Sequence, residues 1–373
     1  MRNERWDLCQ EHMPLSQKIK RLDLPSEIMT LVEQEVSTFH SFTPFYMKEK
    51  YIHGQSEMMI RFQGNKVGIT DQGEKMGESE LISARCQALA SVIGALWKRG
   101  FHDIMQDLDI IVPVSFSDTV SSPRQEIPSL TFCKEVGSNN ILIPSVNNLL
   151  GYAEMEHISM VDRPLLSKED KMCFVGSLTN IHWNDMGMQY NQRLQLANMV
   201  GKSPNLVCKL NKPKNYDNKK FREVEQEVFS HFPDIRATNS LITSDDKVDL
   251  ETQLKYKFQI CIDGHVSAWA RLPWQLISHS VPIKVRNPDF NFMEWYYPLL
   301  NMSRHCIETS MDRLEETFEY LVQYPEVQQE IDQAGRDFVT KYINTDLAQR
   351  IFLYTLLLIS EHQPVYMDVL TEE

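Results

Sequence analysis

KYKFQICIDGHVSAWARLPWQLISHSVPIKV, residues 255–285, sets two apolar runs, 257–262 and 281–285, on either side of a polar turn and a helical segment over 270–279. Short apolar runs bounded by turn signals suit buried strands, and a helix between two of them predicts a parallel βαβ unit. The turn carries Asp263, Gly264 and Ser267, and Arg271 stands in the first turn of the helix. Ligands of a parallel sheet gather outside the carboxyl ends of its strands, which is where these four residues fall.

The same pattern occurs upstream. An apolar run over 172–175 ends in Gly176 and Ser177, the loop GSLTN adds Thr179, and a helical stretch over 191–200 brings Asn191 and Arg193. A further strand is expected over 205–210 and a helix over 221–232. Strands alternating with helices of this length predict a doubly wound α/β domain. Either loop alone would pass for an ordinary turn, and either arginine for a solvated charge. Two such loops in one domain, each supplying an Arg, point to a diphosphate, because the planar guanidinium grips phosphate oxygens in pairs and keeps its proton.

At 373 residues the chain exceeds the roughly 250–300 residues at which single cores split, so two domains are expected. In the first half, EMMIRFQGNKVGIT (57–70) reads as a hairpin turning at Gln63-Gly64-Asn65, 78–100 as an amphipathic helix, and 108–116 as a buried strand. From 311 onward the chain is a run of helices, one of them opened by Pro325.

Net charge −13 and a pI near 5.4 argue against partners that are nucleic acid or anionic membrane. No apolar run approaches the roughly 20 residues of a transmembrane segment. The seven scattered cysteines contain no C-x-x-C pair, which fits reduced thiols. MRNERWDLCQEHMPLSQ at the start lacks the apolar centre of a secretory signal, so a cytoplasmic setting is expected. Asp107-Leu108-Asp109 has the form of a metal-binding Asp-x-Asp, but that motif belongs after a strand and here precedes one, so it reads as a turn. There is no H-E-x-x-H and no phosphate-binding G-x-x-x-x-G-K-[ST] loop.

The stretch 255–285, followed by FMEWYYPLLNMSRHCIETSMDRLEETFEYL, resembles the C-terminal half of family-90 glycosyltransferases, the group that includes Notch-directed protein O-glucosyltransferases and fungal capsule xylosyltransferases. The shared features are a K-Y-K-[YF] strand, a D-G loop with a Ser and an Arg, a second apolar strand, an E-W-[FY]-[YF] helix and an H-Y-[IV]-P-V strand. LSKEDKMCFVGSLT resembles the family's W-x-x-K…[WF]-R-G-S-x-T segment, with Val175 in place of its Arg, and ISARCQALASVIGALWKRG…LDIIVPVSFSD resembles its Arg-bearing helix, acidic turn and strand. The resemblance runs from about 57 to 345.

It implies an α/β fold of GT-B type: two Rossmann-like domains facing across a cleft, with C-terminal helices. The expected division is an acceptor-side domain over 1–168, a nucleotide-sugar-binding domain over 169–340, and a helical segment over 341–373 free to return to the first domain. The implied activity is inverting transfer, without a metal or other cofactor, of a sugar (glucose or xylose first) from a UDP-sugar to a hydroxyl of a glycan or protein acceptor. Asp118 would be the catalytic base. Gly176, Ser177, Thr179, Arg193, Asp263, Gly264, Ser267, Arg271 and Glu294 would bind the donor, with Trp269 either on the base or in the interface. A bacterial or viral glycan pathway is the expected setting. The alternative is a family member without activity that binds a sugar nucleotide or acts as a scaffold, a reading that Val175 favours.

Overall fold

A computed structural model describes residues 13–37, 39, 57–72, 80–116, 128–179, 187–212, 218–242, 248–264, 266–267, 270–288 and 290–362. In the first half, β1 (Glu57–Gln63) and β2 (Lys66–Gln72) form the expected hairpin, with Gly64 at φ 54° in the turn. β3 (Asp109–Ser115) follows the helix Glu80–Leu96, and after it come β4 (Leu130–Thr131), β5 (Lys134–Glu135) and β6 (Ile141–Leu142). The sheet order is β2-β1-β3-β4-β6; β3, β4 and β6 are parallel, and the hairpin extends them antiparallel. A parallel sheet with an antiparallel margin is a common mixed arrangement.

The second half contains β7 (Glu169–Ser177), β8 (Leu206–Asn211), β9 (Leu241–Ile242), β10 (Tyr256–Cys261), β11 (Val281–Val285), β12 (Phe292–Met293) and β13 (Ile307–Thr309). Its main sheet runs β13-β11-β10-β7-β8-β9 and every pairing is parallel. β7 therefore lies in the middle. The chain moves outward through β8 and β9, then crosses back to β10 on the other side of β7. That is the strand order of a doubly wound nucleotide-binding sheet, and its crevice opens at the carboxyl ends of the two strands flanking the reversal, β7 and β10. Burial on both faces explains why these strands read as continuous apolar runs, with all five residues of β11 inside.

One core cluster fills the second sheet and its outer helices, including Met172, Phe174, Phe258, Ile260 and Ile283. The larger cluster joins the first sheet to the underside of the second through Cys261, Leu272, Leu276, Trp295 and Tyr296. The helix Thr345–Glu361, opened by Asn344 whose side chain accepts from Leu347 N at 2.9 Å, supplies Ile351, Phe352, Tyr354 and Leu356 to this same cluster. It packs on the helix Ser26–Ser37 and on β3, and Phe352 meets Phe62 of β1 edge-on at 5.8 Å. Its apolar character almost all round suits such an enclosed position. Among the described residues no helix is long and apolar enough to cross a membrane.

The E-W-Y-Y stretch, 294–297, expected to be helical, is instead a turn that follows β12 and runs into one 3₁₀ turn over Tyr297–Leu299. β12, immediately before it, pairs antiparallel with β5 of the first half, so the chain enters the stretch extended rather than helical.

The helix Pro325–Tyr342 crosses the helix Arg271–Ile277 at Gly335, where a Cβ would lie 3.0 Å from Leu276 O and 3.2 Å from His305 O. Gly→Ala inside a helix ordinarily gains about 0.5–1 kcal/mol. Here two backbone carbonyls leave no room, and Gly335→Ala is expected to cost about 1–3 kcal/mol in urea denaturation. A stabilised variant would show that the two helices separate freely.

Candidate active site

Both loops singled out by the sequence lie at the crevice. Gly176 and Ser177 end β7, and Asp263 and Gly264 follow β10. Arg193, on the helix Gln192–Met199, donates to Ser177 O at 2.6 Å, Thr179 Oγ1 at 2.8 Å and Ile262 O at 3.2 Å. Arg271 donates to Val175 O at 2.7 Å. Between the two arginines sits the buried Phe174 ring, with the Arg271 guanidinium 4.7 Å and the Arg193 guanidinium 5.5 Å from its centre. A ring face attracts cations, so one phenyl group partly offsets two charges.

The offset is incomplete. Burial pushes Arg193 down to about 9, and the neighbouring Arg271 pushes the same way; burial lowers Arg271 as well. At about 9 the Arg193 guanidinium is still protonated at neutral pH. Among the described residues neither arginine forms an ion pair with a carboxylate. Two neighbouring, poorly solvated cations at the carboxyl ends of parallel strands give the crevice a positive potential.

The glycines serve by leaving space. A Cβ on Gly176 would lie 2.9 Å from the Phe174 ring and 3.1 Å from Arg271 Nη2; one on Gly264 would lie 3.0 Å from Arg193 Nη2 and 3.2 Å from Thr179 Oγ1. Helix dipoles add less than the strand-helix pattern suggests. Asn191 caps the helix Gln192–Met199, its Oδ1 accepting from Arg193 N at 3.0 Å and Leu194 N at 3.2 Å, so those amides are already engaged.

A second polar group of residues lies deeper. Lys284 of β11 donates to both carboxylate oxygens of Asp263 at 3.0 Å, and its Nζ stands 5.7 Å from the centre of the Tyr297 ring. Burial works against the charge on Lys284, yet Asp263 and Tyr297 outweigh it and hold it well above the usual lysine range. Ser267 Oγ donates to Glu294 Oε1 at 2.6 Å and lies 2.8 Å from Tyr297 Oη. Glu294 is wholly buried, and burial raises it to about 8 against the opposing pull of Ser267 and Lys284. Among the described residues its Oε2 has no hydrogen-bond partner. From the first half, the Cys133 thiol reaches this group: burial and Glu294 raise it, while a hydrogen bond from the Ser267 backbone opposes them.

Arg193, Arg271, Gly176, Ser177, Thr179 and Gly264 thus form one cluster, and Ser267 and Glu294 another, with Asp263 between them. Asp118 and Trp269 lie outside the described residues. Asp107 accepts from Lys18, and Asp109 from Arg61 and Gln63, so each carboxylate of the Asp-x-Asp is held by neighbours at the start of β3. Phe174, Lys284 and Tyr297 were not singled out from the sequence. Lys284 offered a signal, a cation inside the apolar run VPIKV.

The sheet order defines a doubly wound α/β protein whose crevice holds two buried guanidiniums. The profile of Glycosyl transferase family 90 matches residues 98–366, and the chain belongs to that family. Its two α/β sheets make up the GT-B layout. No curated protein matches the chain. Among solved structures, the C-terminal domain of a glycosyl transferase group 1 family protein (LpcC) from Francisella tularensis is similar at 10% identity and a TM-score of 0.32, over 54% of this chain and 96% of that one.

Glu294 makes stability depend on pH. A carboxyl ordinarily near 4.5 and raised to about 8 in the fold binds its proton more tightly when folded. Its contribution is complete below about 4.5 and is lost as pH rises through 8. Between pH 5 and 8 the denaturation midpoint of the wild type should fall more steeply than that of Glu294→Gln, which keeps a neutral acceptor for Ser267. Parallel profiles would mean that Glu294 is ionised throughout.

Proposed function

We propose that the protein transfers a sugar, glucose or xylose first, from a UDP-sugar to a hydroxyl of a glycan or protein acceptor, with inversion and without a metal. The observation that carries this reading is the pair Arg193 and Arg271 at the switch point of the second sheet. In the proposed reaction Asp118 takes the proton of the acceptor hydroxyl as that oxygen attacks C1 of the sugar. The C1–O bond to the diphosphate breaks as the new bond forms, and UDP departs with the electron pair. A single displacement inverts C1. The two guanidiniums receive the charge developing on the diphosphate, the task a divalent cation performs elsewhere.

Thr179, whose oxygen already accepts from Arg193, keeps a hydroxyl proton to offer a phosphate oxygen. Ser177 and the two glycines bring backbone close to the same group. Asp263 supports the turn from below, and Glu294, with Ser267 on one oxygen and Oε2 unpaired, is assigned a hydroxyl of the donor. The competing reading is a binding or scaffold protein. It draws on Val175, which stands where the family has an Arg and offers the site only its carbonyl.

Titration with UDP in the presence of EDTA separates these outcomes from a metal-dependent enzyme. Wild-type binding should persist without metal, and Arg193→Ala or Arg271→Ala should each weaken it by about tenfold to a hundredfold, the worth of a charge-assisted hydrogen bond. Binding restored only by manganese would overturn the metal-free reading.

Asp118→Asn should keep UDP affinity while abolishing turnover. Release of UDP from UDP-glucose or UDP-xylose, with water as a poor acceptor, provides the assay. Normal release by Asp118→Asn would remove that residue from the mechanism, and no release by the wild type from any UDP-sugar would favour the scaffold.

A further inference from the structure

Lys284 sits in a five-residue strand whose other members are Val281, Pro282, Ile283 and Val285, all buried. Placing an ammonium group there is costly unless it is paired. Its partner is Asp263, gripped symmetrically through both oxygens. The register of the parallel pair explains the match: Lys284 lies opposite Cys261, and Asp263 follows two residues later as β10 leaves the sheet.

Asp263 is flanked by two direct neighbours of Arg193. Ile262 O accepts from Arg193 Nη2 at 3.2 Å, and the Cα of Gly264 faces the same nitrogen so closely that a Cβ would be 3.0 Å away. The carboxylate is thus held on a segment that touches the guanidinium, and its charge is felt there. Guanidinium and carboxylate form strong bidentate pairs, through the same N–H groups that would meet a phosphate. An Asp263–Arg193 pair would fill the anion site from within.

We propose that Lys284 is a positioning residue for donor binding: by holding the Asp263 carboxylate it prevents that carboxylate from closing on Arg193 and leaves the guanidinium pair to the phosphates of the ligand. This rests on the phosphate-binding reading of the cluster. The Tyr297 ring, 5.7 Å from the ammonium group and with its hydroxyl on Ser267, is a second neighbour that favours the charge on Lys284. Ser267 in turn holds the far end of the same turn to Glu294.

The test uses the full chain, with UDP as the probe in calorimetry, at a temperature where thermal unfolding shows each variant fully folded. Lys284→Met should bind UDP at least tenfold more weakly than the wild type. Adding Asp263→Asn to Lys284→Met should restore affinity to within about threefold, since an amide cannot compete as an anion. If Lys284→Met does not fold, Lys284→Leu, which likewise removes every donor to Asp263, takes its place with the same expectations. Wild-type affinity in the single variant, or a double variant as weak as the single, would overturn the role of Lys284. A wild type that fails to bind UDP would sink the phosphate reading itself, and that result is visible before any variant is made.

Discussion

Two guanidinium groups share one phenyl ring at the point where the strand order of the second sheet reverses, and the repulsion between them is the constraint on which the rest of the site depends. Each arginine is held by a carbonyl at the end of β7, Arg271 by Val175 and Arg193 by Ser177, with Gly176 between. Neutral acceptors fix the positions of the charges without cancelling them. Burial then magnifies what remains, because a low-dielectric setting screens little. The glycines follow from the same requirement, since side chains at 176 or 264 would press on the arginines or on Phe174.

Much of this arrangement was legible in the chain. The alternation of apolar runs and helices from 171 to 285 fixes a parallel sheet, and the small and basic residues after two of its strands mark where an anion would bind. Neither feature specifies strand order. That β10 returns to the side of β7, so that the two loops meet, depends on packing between segments far apart in sequence. Phe174 was hidden because a phenylalanine inside an apolar run has an adequate explanation as core. Lys284 was hidden because its partner lies across a strand pair, whereas sequence reading sees only neighbours along the chain.

The E-W-Y-Y stretch shows the limit from the other direction. Its composition permits a helix, but the residues just before it, β12, find a backbone partner in β5, more than a hundred residues upstream, and Val136 N adds a hydrogen bond to Asn291 O at 2.9 Å. Tertiary pairing overrides local preference here, as it commonly does for short segments. The consequence reaches the crevice, because the same segment places Glu294 and Tyr297 against Ser267.

That seam between the halves is polar where an apolar one would have been simpler. Trp295 Nε1 donates to Asn148 Oδ1 at 3.3 Å, the Ser267 backbone meets Cys133, and Glu294 faces both halves from full burial. Apolar surfaces can slide with little penalty, whereas buried polar groups penalise every arrangement that leaves one unpaired. The seam therefore ties the turn over 263–267 to the first half in one register. A carboxyl poised near neutrality within it adds a second constraint: ionisation of Glu294 would place a negative charge between Asp263 and Cys133, opposed only in part by Lys284. The lysine that restrains Asp263 thereby also limits the cost of charging Glu294, so the positive potential at the guanidinium pair and the integrity of the seam depend on the same buried ammonium group.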